Sequence, residues 1–91
     1  ARTCERLGLV NRIAADAELE QAALAWAKRI AAGPPIALAY MKDNLSRALV
    51  EPLASLLDLE AERMVAGAQT EDYLEAVAAF AEKRAPVFKG R

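Results

Sequence analysis

The side chains in this chain that could carry out acid and base chemistry are carboxylates. Glu60 with Glu62, and Glu71 with Asp72, are close enough in sequence to suggest a general acid and a general base. Both pairs fall in segments predicted to be helical, where side chains diverge by about 100 degrees for each position along the chain, so that the members of a pair do not face one substrate. We therefore interpret these carboxylates as solvated or helix-capping groups, and we expect no catalytic residue among them.

Other reaction types lack the residues that they need. The chain has no histidine and a single cysteine, Cys4, so the usual base at neutral pH and the commonest metal ligand are both missing. Ser46 and Ser55 have no imidazole to activate them. The four glycines stand singly at positions 8, 33, 67 and 90, which does not make a phosphate-binding loop. The sequence predicts no metal site and no cofactor bound by this chain alone.

The composition indicates one small helical domain. The chain has 91 residues, of which 55% are hydrophobic, and its 22 alanines far outnumber its four glycines and four prolines. A net charge of -1 without a basic cluster argues against nucleic acid as a partner. The longest apolar runs, among them residues 22–27, are too short to cross a membrane. A lone cysteine excludes an internal disulfide and favours a reducing compartment, so we expect a cytoplasmic protein.

Four helices are expected from the start and stop signals. They run over residues 16–33, 35–50, 52–66 and 70–84, and residues 1–7 could be the end of a further helix that stops at Gly8. Asp16 and Thr70 are the expected N-caps, and Gly67 is the expected end of the third helix. The predicted architecture is all-α, a small bundle or an extended helical array completed by self-association.

The helical periodicity also predicts which side chains are buried. Trp26, Met41 and Met64 fall on apolar stripes and are expected in the core. Arg63 is expected to point outward from the third helix, and residues 85–91 are expected to be irregular. Phe80 lies beside the apolar stripe of the fourth helix, which leaves its ring available for a contact outside the local core.

Three stretches of the sequence carry a family resemblance. They are RLGLVNRI at residues 6–13, AAGPPIA at residues 31–37 followed by Lys42, and TED at residues 70–72 leading to AFAEKRAPVFKGR at residues 79–91. In this order and at these separations they closely resemble the carboxy-terminal third of the enoyl-CoA hydratase/isomerase family, the crotonases. The chain has Glu75 and Ala76 where the family usually has Glu and Gly.

The resemblance implies that residues 1–91 are the carboxy-terminal helical region of a crotonase-like enzyme. The α/β spiral core of the family, with its oxyanion hole and catalytic carboxylates, would lie upstream. The parent enzyme would be a lyase or isomerase of fatty acid or related acyl-CoA metabolism, and we expect the isolated chain to be inactive. Its partners would be acyl-CoA, with coenzyme A as part of the thioester substrate, and further copies of itself in a trimer or hexamer.

The same resemblance implies a binding role for Phe80 and Lys83. In the family the matching positions place an aromatic ring and a lysine near the nucleotide of coenzyme A. From the residues alone, Phe80 is instead expected to complete an apolar contact between subunits, and Lys83 to cap the carboxyl end of its helix. The alternative for the chain as a whole is a stand-alone helical module that associates with itself and has no enzymatic activity.

Overall fold

A computed structural model describes residues 1–91, and the chain is entirely helical, with no β-strand. Five α-helices are present, together with a single 3-10 turn at Asp16–Glu18. The α-helices are α1 (Arg2–Arg6), α2 (Leu19–Ala31), α3 (Pro35–Arg47), α4 (Leu53–Ala68) and α5 (Glu71–Glu82). This confirms the predicted all-α class and makes the amino-terminal segment a short helix of its own. The chain divides into two compact units, Ala1–Ile30 and Ala31–Arg91.

The first unit contains α1, the 3-10 turn and most of α2. Gly8 has a φ of 73° and lies just beyond α1, where the Leu9 amide donates to the Cys4 carbonyl at 2.9 Å. This confirms Gly8 as a stop signal, because the left-handed region favours glycine. The expectation that Asp16 is an N-cap is wrong, since Asp16 is already inside the 3-10 turn and no side chain caps that turn. The Arg12 guanidinium lies 5.3 Å from the centre of the Trp26 ring.

The second unit contains α3, α4 and α5. Pro35 occupies the first turn of α3, and Pro52 immediately precedes α4, as expected for a residue that lacks an amide proton. Gly67 does not end α4, because the helix continues to Ala68. A glycine inside a helix costs only about 1 kcal/mol relative to alanine, so it does not by itself end the helix. Glycine typically ends a helix when it adopts the left-handed conformation, and Gly67 does not adopt it.

Helix α4 packs against both α3 and α5, and Arg63 joins α4 to α3. Its guanidinium donates to the Tyr40 carbonyl at 3.2 Å, to Asn44 Oδ1 and to the Asp43 carboxylate. It also lies 5.3 Å from the centre of the Tyr40 ring. The expectation that Arg63 points into solvent is therefore wrong. Its long side chain reaches α3, where three acceptors and an aromatic face satisfy the charge.

Few side chains of this chain are buried. Ala79 and Asp72 are the two buried residues, at 1% and 4% exposure, while twenty large hydrophobic side chains are exposed. Met41 and Met64 are 57% and 76% exposed and Trp26 is half-buried. The expectation that these side chains pack in the core is therefore wrong for the two methionines, and Trp26 is only partly covered. The apolar stripes exist, but the helices of this chain do not cover them. None of the helices combines the length and the hydropathy needed to cross a bilayer.

Candidate functional site

The first turn of α5 is built as the sequence predicts. Thr70 is its N-cap, and Thr70 Oγ1 accepts a hydrogen bond from the Tyr73 amide at 3.1 Å. Glu71 and Asp72 follow in the first turn, where the helix dipole favours negative charge. This cap therefore sets the first residue of α5. It also sets the positions of Phe80, near the end of the helix, and of Lys83, directly after it.

The other end of α5 has an unusual backbone. Lys83 follows the helix with a φ of 56° and a ψ of 37°, in the left-handed region. Its amide donates to the Phe80 carbonyl at 3.3 Å, and the Arg84 amide donates to the Ala79 carbonyl at 3.0 Å. Glycine is the usual residue in such a cap, and a side chain with a Cβ is strained there. No local sequence signal indicated this conformation, because Lys83 has the position of an ordinary cation in the last turn of a helix.

Phe80 and Lys83 are both exposed at this end of α5. Phe80 is 87% exposed, and the Lys83 ammonium makes no salt bridge within the chain. The adjacent Arg84 differs, since it donates to the Glu75 carboxylate at 2.6 and 2.9 Å and to Glu82 at 2.5 Å. An uncovered aromatic face can stack on a planar ring, and a free ammonium can pair with a phosphate. That these two residues bind a ligand stays a prediction.

The neighbouring carboxylates are not arranged for acid and base catalysis. Glu71 pairs with the Arg91 side chain at 2.8 Å. The Asp72 carboxylate has different partners and accepts hydrogen bonds from the backbone amides of Lys89 at 2.7 Å and Gly90 at 2.9 Å. Asp72 is buried, which the interpretation as a solvated or capping group missed. Its partners are 17 and 18 residues away in the chain, so no local pattern could have indicated them.

Glu75 forms the centre of the charged network beside the site. Hydrogen bonds from Arg84 and from the Val87 amide lower the pKa of Glu75 to about 2. The same ion pair, together with Glu82, raises the pKa of Arg84 further above its ordinary value. Both groups are therefore charged at neutral pH and form an ion pair. Lys83 makes no such pair and remains the free cation at this end of α5.

An apolar cleft of about 400 Å³ lies in the second unit between α3, α4, α5 and Phe88. Its walls are mainly apolar side chains, with the Arg63 guanidinium among the few charged groups on its lining. The apolar lining includes Ile36, Ala37, Tyr40, Met41, Met64 and Ala76. No group of three or more cysteine, aspartate or glutamate side chains is placed to hold a metal ion.

Comparison with known proteins gives a consistent result over the full chain. The family model described as enoyl-CoA hydratase/isomerase matches residues 1–91. The chain is 36% identical to the carnitinyl-CoA dehydratase of Salmonella typhi, over 94% of this chain and 34% of that protein. It is 30% identical to the 1,2-epoxyphenylacetyl-CoA isomerase of Escherichia coli, over 100% of this chain and 35% of that protein.

A solved structure has a similar fold. The crystal structure of the enoyl-CoA hydratase from Bacillus anthracis matches with a TM-score of 0.93 and 33% identity, over 100% of this chain and 35% of that chain. The chain thus spans about a third of the length of the proteins that it matches. Dehydratase, isomerase and hydratase are all among their names, so the comparisons do not select one reaction.

Proposed function

Because the chain belongs to the enoyl-CoA hydratase/isomerase family, we propose that it forms the carboxy-terminal helical region of an enzyme that acts on acyl-CoA thioesters. The enzyme would serve fatty acid or related acyl-CoA metabolism as a lyase or isomerase. Two roles are proposed for this region. It supplies part of the coenzyme A site, through Phe80 and Lys83, and it supplies contact surface between subunits.

The observation that supports the coenzyme A role most directly is the contrast between Lys83 and Arg84. Arg84 is held by two carboxylates, whereas Lys83 has no acidic partner and follows Phe80 by three residues, and the Phe80 ring is 87% exposed. Exposing a phenylalanine ring to water is unfavourable, at roughly 1.5 to 3 kcal/mol relative to full burial. Stacking of Phe80 on the adenine ring, with Lys83 on a phosphate, would satisfy both groups at once.

The test uses the full-length enzyme that contains this chain, with Phe80→Ala and Lys83→Ala made singly. We expect each variant to raise the KM for acyl-CoA by about tenfold, equivalent to about 1.4 kcal/mol, with kcat nearly unchanged, since neither group would touch the reacting atoms. Lys28→Ala, which removes an exposed lysine of α2, is the matched charge control and should behave as the wild type.

A second substrate makes the test specific for the nucleotide. An acyl-pantetheine thioester lacks the adenine and the phosphates that Phe80 and Lys83 would contact, so its KM should be the same for the wild type and both variants. Equal KM values for acyl-CoA in all proteins would contradict the coenzyme A role. A rise for both substrates would assign the two residues to the assembly or to the fold instead.

The isolated 91-residue chain is proposed to be catalytically inactive. It offers no histidine, and its Asp72 and Glu75 carboxylates are engaged by backbone amides and by Arg84. A spectrophotometric assay of enoyl-CoA hydration should show no turnover above background for the purified chain. Turnover that co-purifies with the chain and is abolished by a substitution within it would overturn this proposal.

The contact role is supported by the exposed apolar stripes. Thirteen of the twenty exposed large hydrophobic side chains lie in the second unit, and exposed apolar surface on this scale is typical of an interface. We expect the chain to self-associate, which sedimentation equilibrium can measure. A strictly monomeric species at high concentration would contradict the contact role.

The alternative function, a self-association module without any enzymatic role, rests on the same exposed stripes. It predicts self-association of the isolated chain and no effect of Phe80→Ala and Lys83→Ala on the KM for acyl-CoA. The KM comparison therefore separates the two functions, whereas sedimentation alone does not.

A further inference from the structure

The segment after Pro86, residues 87–91, runs back along α5 from its carboxyl end towards its amino end. Glu75 Oε1 accepts a hydrogen bond from the Val87 amide at 2.8 Å. Nearer the start of α5, Asp72 accepts from the Lys89 and Gly90 amides, and the Asp72 amide donates to the Arg91 carbonyl at 3.1 Å. Every one of these contacts uses the backbone of the segment, so they depend little on its side chains.

The same segment also touches the amino end of α3. A Cβ placed on Gly90 would come within 3.0 Å of Pro35 Cγ, and Gly90 has a φ of 74°. Both the backbone conformation and the close approach of Pro35 therefore favour glycine here. The segment consequently bridges α5 and the first residue of α3, on either side of the apolar cleft that Phe88 helps to line.

We propose that residues 87–91 are a releasable strap that closes one side of the apolar cleft, with Asp72 as the group that holds it. The strap has no regular secondary structure, and Phe88, its aromatic residue, is only partly buried. Its attachment rests on backbone hydrogen bonds to Asp72 and Glu75 and on the exposed ion pair between Arg91 and Glu71. The Asp72 contacts are the buried ones among these. This proposal concerns the chain itself and does not depend on the coenzyme A role of Phe80 and Lys83.

Asp72 is suited to this role because of its position and its burial. It is 4% exposed, and a buried carboxylate is stable only when hydrogen bonds satisfy it. The two amides of the strap supply those bonds, while the strap carbonyl of Arg91 satisfies one of the amides that the first turn of a helix leaves without a partner. Release of the strap would leave the carboxylate to be solvated by water that enters the side of the cleft.

The test measures hydrogen exchange of the strap amides in the 91-residue chain. Asp72→Asn keeps the shape of the side chain but places an amide group against one of the two strap amides, so at least one hydrogen bond is lost. We expect the Lys89 and Gly90 amides to exchange about tenfold faster than in the wild type. The control is Asp58→Asn on the exposed face of α4, where the carboxylate has no hydrogen bond in the structure, and it should leave both exchange rates unchanged.

Two further variants keep the result interpretable if Asp72→Asn unfolds the chain. Gly90→Ala acts at the α3 end of the strap, and should also accelerate exchange at Lys89 and Gly90 while the amides of α4 stay protected. Lys89→Ala removes only a side chain and should leave the strap in place. Unchanged exchange at Lys89 and Gly90 in both Asp72→Asn and Gly90→Ala would overturn the proposal, and so would equal acceleration of the strap and α4 amides in both.

Discussion

The Arg84 guanidinium closes on the Glu75 carboxylate with two hydrogen bonds, of 2.6 and 2.9 Å, although nine residues separate the two in the chain. Lys83, in the left-handed conformation, reverses the chain between them. Two nitrogens on two oxygens fix both the distance and the orientation of the pair. This ion pair therefore holds the returning chain against α5. It neutralises the charge of Arg84 and leaves Lys83 unpaired.

Acid should loosen this attachment at a pH set by Glu75. The pKa of Glu75 is about 2 in the folded chain and 4.5 ordinarily, so the unfolded form takes up a proton first as the pH falls. The stabilisation is therefore fully present above 4.5 and is lost as the pH falls from 4.5 through about 2. The amide shift of Val87, followed by NMR, should titrate near the lower value. A midpoint near 4.5 would contradict the ion pair, and Glu75→Gln should abolish the titration.

Arg63 should be needed for the contact between α3 and α4. In Arg63→Leu the Tyr40 carbonyl and the Asn44 side chain lose their charged donor, and we expect the free energy of unfolding to fall by about 1 to 2 kcal/mol. Arg29→Leu, which removes an exposed arginine of α2, is the matched control and should change it little. Urea denaturation measures both, and an equal midpoint for the two variants would show that the Arg63 contacts contribute nothing to stability.

Replacing Lys83 with glycine should increase the stability of the chain but weaken acyl-CoA binding. Glycine relieves the left-handed strain, worth about 1 to 2 kcal/mol, but gives the unfolded chain more freedom, worth about 0.4 to 1 kcal/mol. Lys83→Gly should therefore stabilise the chain by about 0.5 to 1 kcal/mol, measured by thermal unfolding. In the full-length enzyme it should weaken acyl-CoA binding to the same extent as Lys83→Ala. A destabilised Lys83→Gly variant would show that the side chain supports the fold.

Replacing Gly67 with alanine should increase the stability of the chain. It lies within α4, its φ is not positive, and a Cβ there would meet no atom within 4 Å. Gly67→Ala is expected to stabilise the chain by about 0.5 to 1 kcal/mol, because alanine is the better helix former. Gly90→Ala, at a position of positive φ, provides the opposite case and should destabilise it. Loss of stability in Gly67→Ala would indicate that an approaching chain needs the space at this position.

Several features of the fold follow from local sequence signals. Thr70 with Glu71 and Asp72 begins α5, and Pro35 and Pro52 mark the starts of α3 and α4. These signals act within one helical turn, through backbone amides that need a partner or through a missing amide proton. The family was also recognisable, because its motifs are continuous stretches whose order and separation the family model matches over residues 1–91.

The partners of the charged side chains were decided only by the tertiary structure. Arg63 lies against α3 where an outward position was expected, and Asp72 is buried beneath backbone amides from far along the chain. Helical periodicity assigns a residue to a face, but it does not say which acceptor will stand opposite that face after packing. The left-handed Lys83 has the same origin, since the Glu75 and Arg84 pair holds the chain reversal around it. Local chemistry thus determined the helices of this protein, and contacts between distant segments determined which of its charges remain free.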